Sequence, residues 1–193
     1  MRTVIATSKL ATLALLILLA SPASFSAPVA DDERIPLDLR RTTLVVRDID
    51  RSLALYRDAL GMTLSYNNHI RTPRDAASDD EAERALRLTF LQANDNFVGV
   101  LGLLQYIKPL KQQPVSDLAF EPGTIVLVFN VKDLDQRWEQ VINTPGVEVL
   151  SEPEETNYPS YDGKGTIPVR VSVIRDPDGF VVELNQLLTD TLN

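Results

Sequence analysis

The sequence predicts an α+β fold in which two βαβββ modules follow each other in tandem and form a cupped mixed sheet. The first observation is an internal repeat, because the string at 44–53 has a counterpart at 129–138, 85 positions later. Each string begins as an apolar strand, breaks at an Asp-x-Asp and continues as an amphipathic helix. The second observation is that three further strand patterns follow each helix. A unit that is made twice must bury its apolar faces in a pseudo-symmetric way, so the repeat constrains the fold strongly.

The first module is predicted to contain one helix and four strands. Asp48 suits the junction between strand and helix, because its carboxylate can accept hydrogen bonds from the free N–H groups of the first helical turn. Leu53, Tyr56 and Leu60 fall on one helix face, and Gly61 supplies the C-terminal stop. The predicted helix covers 50–60, and the predicted strands cover 41–47, 62–66, 86–92 and 97–107.

The second module repeats this order after a connection that is rich in proline. Its last two strands are joined by the turn Asp176-Pro177-Asp178-Gly179, in which Pro presets φ and Gly tolerates the tight exit. Each helix is expected to cover one face of its sheet, which leaves the other face to form the cup. The predicted helix covers 134–142, and the predicted strands cover 124–131, 146–150, 166–174 and 180–186.

The first 26 residues have the pattern of a secretory signal peptide. Arg2 and Lys9 precede an apolar run at 10–20, and small residues with a proline follow. This run is shorter than the roughly 20 residues that span a bilayer, although a short membrane anchor or a buried helix stays open as the alternative. We therefore expect an exported protein, periplasmic or secreted, with no stable membrane span after signal cleavage. The predicted organisation is a signal peptide at 1–26, a leader at 27–38, the first module at 39–107, a linker at 108–122 and the second module at 123–188, with the two modules making one domain over 39–188.

The composition argues against nucleic acid as a partner. The chain has 27 acidic and 19 basic residues, and loss of the signal peptide would remove two of the basic ones. Nucleic-acid binding depends on Lys and Arg that neutralise phosphates, and this sequence shows no basic patch interleaved with aromatic residues. The chain contains no cysteine, so we expect the exported domain to fold without disulfides, as a chain of this length can.

Two strings carry a resemblance to a known family. The string at 46–61, taken with the turn at 176–179 and the Glu-Leu pair at 183–184, resembles the vicinal oxygen chelate (VOC) superfamily. This superfamily includes glyoxalase I, the extradiol dioxygenases and the bleomycin-binding proteins. The resemblance implies a glyoxalase-like cup built from paired βαβββ modules, often within dimers. It leaves open whether this chain forms a homodimer and whether its modules exchange across one.

The resemblance also implies four positions for the ligands of a divalent metal, usually His and Glu side chains from four strands. In this sequence the positions hold Arg41, Gly102, Val126 and Glu183, and only Glu183 is of a ligand type. A guanidinium has no lone pair to donate. We therefore expect no metal site and no cofactor, and we hypothesise that Arg41 pairs with Glu183 inside the cup. The alternative is that Arg41 merely lies at a strand entrance and that Glu183 is a retained strand residue.

Strand alternation predicts which side chains line the cup, because residues two apart share a face. A mostly apolar cup with a few polar groups is the usual composition of a small-molecule site. The residues on the opposite faces are apolar and should pack under the helices; they are Leu44, Val46, Leu127, Phe129, Val182 and Leu184. The residues that we expect to bind a ligand are Arg41, Thr43, Gly102, Tyr106, Val126, Asn130, Glu183 and Asn185.

Two classes of function stay open. In the first, the protein is an exported module that captures a small organic molecule in the cup without metal, as the bleomycin-binding members do. In the second, it is a lyase, isomerase or dioxygenase relative in which Glu183 acts as the catalytic base and Arg41 stabilises an oxyanion or enolate. The residues at the metal positions favour the first class.

Other candidate chemistry in the sequence is weak. His69 is the sole histidine and is predicted to be exposed at a strand end, and the acidic run at 75–83 lacks the glycine spacing of a calcium loop. The segment at 158–165 has the composition of a flexible loop that could close over the cup. Trp138 takes the helix position equivalent to Leu53 and is expected to pack in the core.

Overall fold

The computed structural model of the protein describes residues 32–115, 117, 119–160 and 163–189. The signal peptide predicted at 1–26 lies outside these residues. No helix within them is long and apolar enough to cross a membrane.

The first module contains β1 (Arg41–Val46), α1 (Ile49–Leu53), β2 (Thr63–Thr72), β3 (Arg84–Gln92) and β4 (Val100–Lys108). The second module contains β5 (Val126–Asn130), α2 (Leu134–Ile142), β6 (Glu148–Pro159), β7 (Thr166–Arg175) and β8 (Val181–Leu187).

Each module forms a four-stranded mixed sheet, which confirms the fold class that the repeat predicts. The strand order is β1-β4-β3-β2 in the first sheet and β5-β8-β7-β6 in the second. The pairs β1 with β4 and β5 with β8 are parallel, whereas the other pairs are antiparallel. No strand pairing joins the two sheets in the described part of the chain. Instead, a cavity of about 240 Å³ lies between β1 and β5, with Thr42 and Val128 in its walls.

The helix of the first module changes character along its length. After α1 the chain forms a π-helical turn at Ala54–Ala59, and the N–H of Leu60 closes it by donating to the carbonyl of Leu55 over 2.9 Å. Leu55 and Tyr56 are adjacent in sequence and both fully buried in this turn. The helix ends at Gly61, whose φ of 80° is readily adopted only by glycine. The stop at Gly61 is confirmed, but the uniform α-helix predicted before it is wrong.

The edge strands β2 and β6 extend well past their predicted ends at 66 and 150. β2 stays paired with β3 as far as Thr72, and β6 stays paired with β7 as far as Pro159. Their outer parts are mostly exposed and polar, so they lack the apolar alternation on which the prediction rested. As a consequence, His69 lies within β2 rather than at a strand end, and Tyr158 belongs to β6 rather than to a loop.

The apolar core lies on the helix side of both sheets, as strand alternation predicts. Leu127 and Phe129 are partly buried against this core. Trp138 is also partly buried there, which agrees with its predicted packing role, and its indole N–H donates to Glu152 over 2.9 Å. The other residues assigned to the helix side are at most 3% exposed, and they are Leu44, Val46, Val182 and Leu184.

The two Asp residues at the start of the repeated helices have different roles. Asp48 caps its helix as predicted, with Oδ1 accepting the N–H of Asp50 over 2.9 Å. Asp133 makes no such cap, and its carboxylate instead accepts a hydrogen bond from Arg137 Nε, one helical turn later, over 2.7 Å. The repeat therefore preserves the residue type at this junction but not its partner.

The two strings that carry the family resemblance meet at the boundary between the modules. Asp176 Oδ1 accepts the N–H groups of Asp178 and Phe180, each over 2.9 Å, which shapes the turn at 176–179. Asp176 Oδ2 accepts the hydroxyl of Tyr56 from the first module over 2.8 Å. Burial raises the pKa of the Asp176 carboxyl, and burial together with the nearby Asp176 raises the pKa of Tyr56 well above its ordinary value. These contacts fix the turn of one module to the helix of the other.

A charged pair extends the contact between the modules. Asp178 Oδ1 accepts both the backbone N–H of Arg47, over 2.9 Å, and its Nε, over 2.8 Å. The Asp178 side chain is 6% exposed, so the pair is largely shielded from solvent. The hydroxyl of Ser52 also reaches Asp178 Oδ2, over 3.4 Å. Strand β1, helix α1 and the turn at 176–179 are thereby held as one unit.

The helix ends complete the boundary in a pseudo-symmetric way. A Cβ at Gly61 would lie 2.8 Å from Arg137 Nη1 of the second module, which donates to the carbonyl of Ala59 over 3.2 Å. Gly146, the counterpart of Gly61 in the repeat, has the guanidinium of Arg51 in the corresponding place. In each module, a glycine that follows the helix thus packs against an arginine of the other module.

Candidate ligand-binding site

The cup face of the first sheet carries a cation on an aromatic platform. Thr43, Gly102, Phe90 and Tyr66 are successive partners across the four strands and form one row. The Arg41 guanidinium lies over this row, with Cζ 4.2 Å from the centre of the Phe90 ring and Nε donating to Thr43 Oγ1 over 3.1 Å. Phe90 in turn stacks on Tyr66, with ring centres 4.9 Å apart. The row therefore holds the planar guanidinium in one orientation.

Gly102 is the position in this row that permits the arrangement. A Cβ at Gly102 would lie 2.7 Å from Thr43 Oγ1, which is too close for both to stay in place, and 3.1 Å from Arg41 Cδ, which is a tight contact. The absent side chain therefore does not enlarge a pocket. It leaves room for Arg41 to cross β4 and reach Phe90 on β3, which is the close packing that a strand glycine allows.

The cup face of the second sheet carries Glu183 with two hydrogen-bond donors. Asn185 Nδ2 donates to Glu183 Oε1 over 2.8 Å, and the hydroxyl of Tyr158 approaches the same oxygen at 3.4 Å. Burial, and then the negative charge of Glu183, raise the pKa of Tyr158. Val128 is the strand partner of Glu183 on β5 and is 61% exposed, so an apolar surface adjoins the carboxylate.

The pairing of Arg41 with Glu183 that we hypothesised is not formed in the described residues. Arg41 is held on the first sheet by Phe90 and Thr43, and Glu183 is held on the second sheet by Asn185 and Tyr158. The physical reason is that each charged group finds partners on its own sheet, while no strand pairing draws the two sheets together. The cup thus presents a cationic site and an anionic site as separate features.

The remaining predicted residues divide among different surfaces. Tyr106 is covered by Lys111, whose ammonium lies 4.1 Å from the ring centre. Val126 lines the cavity between β1 and β5. Asn130 and Asn185 line a larger groove at the boundary between the modules. The structure therefore brings together Arg41 with Thr43 and Gly102, and Glu183 with Asn185, but it does not unite all eight residues.

Sequence reasoning missed three aromatic residues of the cup. Phe90 and Tyr66 were assigned only to strands, and Tyr158 only to a loop. Alternation along β3 places Phe90 on a definite face, but its meeting with Arg41 depends on the register between β3 and β4, which a single sequence does not encode. For Tyr158 the sequence does not even show strand alternation, because β6 continues through a polar segment.

Comparison with known proteins now identifies the architecture. A sequence model of the Glyoxalase/Bleomycin resistance protein/Dioxygenase superfamily matches residues 38–184. The chain belongs to this superfamily. Among solved structures, a glyoxalase family protein from Bacillus cereus has a TM-score of 0.61 and 16% identity, covering 83% of this chain and 100% of that one. A glyoxalase I mutant from Zea mays has a TM-score of 0.52 and 22% identity, covering 77% of this chain and 45% of that one, so this chain spans less than half of the maize protein.

The comparisons with solved structures concern the fold alone, because the identities are low. No curated protein sequence matches the chain. Neither comparison assigns an activity to this member of the glyoxalase superfamily.

The residues at the four positions where the resemblance implies metal ligands do not fit a divalent cation. Arg41 places a permanent positive charge there, Val126 has no donor atom, and the space beside Gly102 is filled by Thr43 and Arg41. Only Glu183 offers a ligand oxygen. Elsewhere in the described residues, no group of three or more His, Cys, Asp or Glu side chains is arranged to hold a metal ion.

His69 and the acidic run at 75–83 form a surface feature of their own. His69 Nδ1 and Arg71 Nε each lie 2.7 Å from a carboxylate oxygen of Asp79, which attaches the acidic run to β2. The Arg71 hydrogen bond is the main cause of the lowered pKa of Asp79. The His69 side chain is 40% exposed, in agreement with the solvated position that the sequence suggests.

Proposed function

We propose that this glyoxalase-superfamily protein binds a small organic molecule in its cup without the metal on which the superfamily's chemistry usually depends. The observation that carries the proposal is the Arg41 guanidinium lying across Gly102 on Phe90. A position that would hold a metal ligand is here used to orient a fixed organic cation. Such a cation can bind an anionic group of a ligand directly, with no metal as intermediary.

The cup offers complementary chemistry for such a molecule. Both Nη atoms of Arg41 lack a hydrogen-bond partner in the described residues, so they are free to donate to a carboxylate or sulfonate. Val45 and Val128 are 56% and 61% exposed on the cup faces and supply apolar surface. Glu183, on the second sheet, can accept a hydrogen bond from the same ligand. The features favour a ligand with an apolar or aromatic body and an anionic group.

An enzymatic role is the second candidate, and the contact between Glu183 and Tyr158 favours it. A carboxylate and a phenol 3.4 Å apart can serve as a base and an acid in proton transfer. In such an enzyme Arg41 would stabilise an oxyanion or enolate. Glu183→Gln separates the two roles, because Gln keeps a hydrogen-bond acceptor for a bound ligand but cannot serve as a base, so only an enzyme loses its activity.

Export is part of the proposal, and its support is the sequence at 1–26. A basic start, a short apolar run and small residues are the order of a secretory signal peptide. The exported chain would be periplasmic or secreted. Dimerisation, which is frequent in the superfamily, likewise stays a prediction.

Native mass spectrometry of the purified protein tests the proposed function. We expect a non-covalent organic adduct on the wild type that is absent from Arg41→Ala and retained by Arg40→Ala. Arg40 is a matched control, because it also lies over an aromatic ring, that of Phe97 at 4.6 Å. An adduct that survives Arg41→Ala would contradict the assigned site. A protein that carries no adduct and also fails to bind the aromatic sulfonate 8-anilinonaphthalene-1-sulfonate would contradict the binding function itself.

A further inference from the structure

Glu183 is a half-buried carboxylate in the cup that has no cation to neutralise it. Its neighbours across the sheet are Val128 on β5 and Val173 on β7, so the side chain lies among apolar residues. Its hydrogen-bond donors, Asn185 Nδ2 at 2.8 Å and the Tyr158 hydroxyl at 3.4 Å, are neutral groups. It makes no ion pair in the described part of the chain. Because water screens a half-buried charge poorly, this carboxylate attracts a cation more strongly than an exposed one does.

A cation on the same face of the second sheet, Arg175, is engaged elsewhere. It follows Val173 by two residues on β7, and alternation therefore places it on the face of Glu183. Its Nη1 donates to Glu148 Oε2 over 2.7 Å, and its Nη2 donates to the backbone carbonyl of Asp117. Because both terminal nitrogens are used, Arg175 does not neutralise Glu183.

Two acceptor atoms beside this charge are open to a ligand. Both hydrogen bonds to Glu183 go to Oε1, so Oε2 accepts none in the described residues. Oε2 also keeps accessible surface, unlike Asn185 Oδ1, which is fully buried. Burial, and then the charge of Glu183, raise the pKa of Tyr158, so its hydroxyl keeps the proton that it donates to Oε1 and its oxygen can accept a further bond. An ammonium group, with three N–H donors and a positive charge, matches two acceptors next to a carboxylate.

We propose that the ligand of the cup is zwitterionic, with an ammonium group bound by Glu183 and an anionic group bound by Arg41. This inference rests on the proposed function and specifies its class of ligand. The ammonium donates to Glu183 Oε2 and to the hydroxyl oxygen of Tyr158, and the apolar body of the ligand lies over Val45 and Val128, which are exposed in the cup. Arg41 and Glu183 lie on different sheets and do not pair. The two charges of the ligand are therefore several bonds apart, as in an ω-amino acid with an apolar chain.

Calorimetric titration with ω-amino acids and their N-acetyl derivatives tests the charge of the ligand. The probes are 8-aminooctanoic acid, 10-aminodecanoic acid and 12-aminododecanoic acid. Each N-acetyl derivative keeps one N–H donor and the carboxylate but loses the positive charge. We expect the wild type to bind at least one ω-amino acid about tenfold more tightly than its N-acetyl derivative, because only the ammonium pairs with the carboxylate of Glu183. Equal affinities within all three pairs would overturn the inference.

Variants assign the two charges of the probe to their residues. Glu183→Gln keeps an acceptor for Asn185 and Tyr158 but no charge, and it should make the two affinities of a pair equal. Glu139→Gln is the matched control, because it removes the same charge from an exposed position of α2 on the helix side of the sheet. It should keep the preference for the ammonium. Arg41→Ala should weaken both members of a pair about equally, since both carry the carboxylate.

The outcomes separate this inference from the proposed function. Binding of the N-acetyl derivatives that depends on Arg41, with no preference for the ammonium, would overturn the inference and leave the proposed function standing. Binding that Arg41→Ala does not weaken, or no binding of any probe, would overturn both. A preference for the ammonium that persists in Glu183→Gln would contradict the assignment of the cation to Glu183.

Discussion

Replacement of Asp176 with alanine should lower the free energy of unfolding by about 3 kcal/mol or more. The carboxylate accepts two backbone N–H groups within its own turn and the hydroxyl of Tyr56 from the other module. The residue is 1% exposed, so truncation leaves these donors unpaired where water does not reach them. Urea unfolding followed by the fluorescence of Trp138, the sole tryptophan, measures the loss.

Two tyrosine variants serve as controls for this prediction. Tyr56→Phe removes one of the three donors and should cost about 1–2 kcal/mol. Tyr66→Phe removes a hydroxyl that makes no hydrogen bond in the described residues, and it should stay within about 0.5 kcal/mol of the wild type. If Asp176→Ala were no more destabilising than Tyr66→Phe, the turn at 176–179 would not hold the modules together.

Arg41→Ala should weaken the binding of 8-anilinonaphthalene-1-sulfonate by about ten- to a hundredfold. This probe has an aromatic body and a sulfonate, and a hydrogen bond to a charged group contributes about 1.5–3 kcal/mol. Truncation of Arg41 removes the cation and leaves Phe90 and Tyr66 in place, so the residual affinity reports the aromatic surface alone. Fluorescence titration of the probe gives both values.

Arg40→Ala is again the matched control, because it removes an arginine stacked on Phe97 from the adjacent position. Its affinity for the probe should equal that of the wild type. Equal losses in the two variants would indicate that only the net charge of the protein matters. Gly102→Ala should reproduce the effect of Arg41→Ala, since its Cβ would clash with Thr43 Oγ1 and make a tight contact with Arg41 Cδ.

The sequence predicted the fold because the repeated strings encode local structure and packing at once. Asp48 and Gly61 mark the start and the end of a helix, and both do so in the structure. Strand alternation assigned Leu44 and Leu184 to the core, where they are at most 2% exposed. The string at 46–61 and the turn at 176–179 prove to be structural, because Tyr56 and Asp176 join the modules rather than line the cup.

The candidate site was less predictable because its contacts cross between strands. Arg41 and Gly102 were recognised by position, but the partner that holds the guanidinium is Phe90, and this contact depends on inter-strand register. The hypothesis that Arg41 pairs with Glu183 rested on opposite charge alone, whereas each side chain has partners on its own sheet. Opposite charges in a sequence do not show how far apart the two side chains lie in the fold.

Titration of the purified protein with Zn²⁺ and Mn²⁺, followed by calorimetry, tests the central claim most directly. The claim is that the cup acts through Arg41 in place of the superfamily's metal. We expect the wild type and Glu183→Gln to give the same heats, because three of the four ligand positions lack a donor that fits the cation. Any weak binding at the surface should disappear in His69→Ala instead. Stoichiometric binding that Glu183→Gln abolishes would contradict the account.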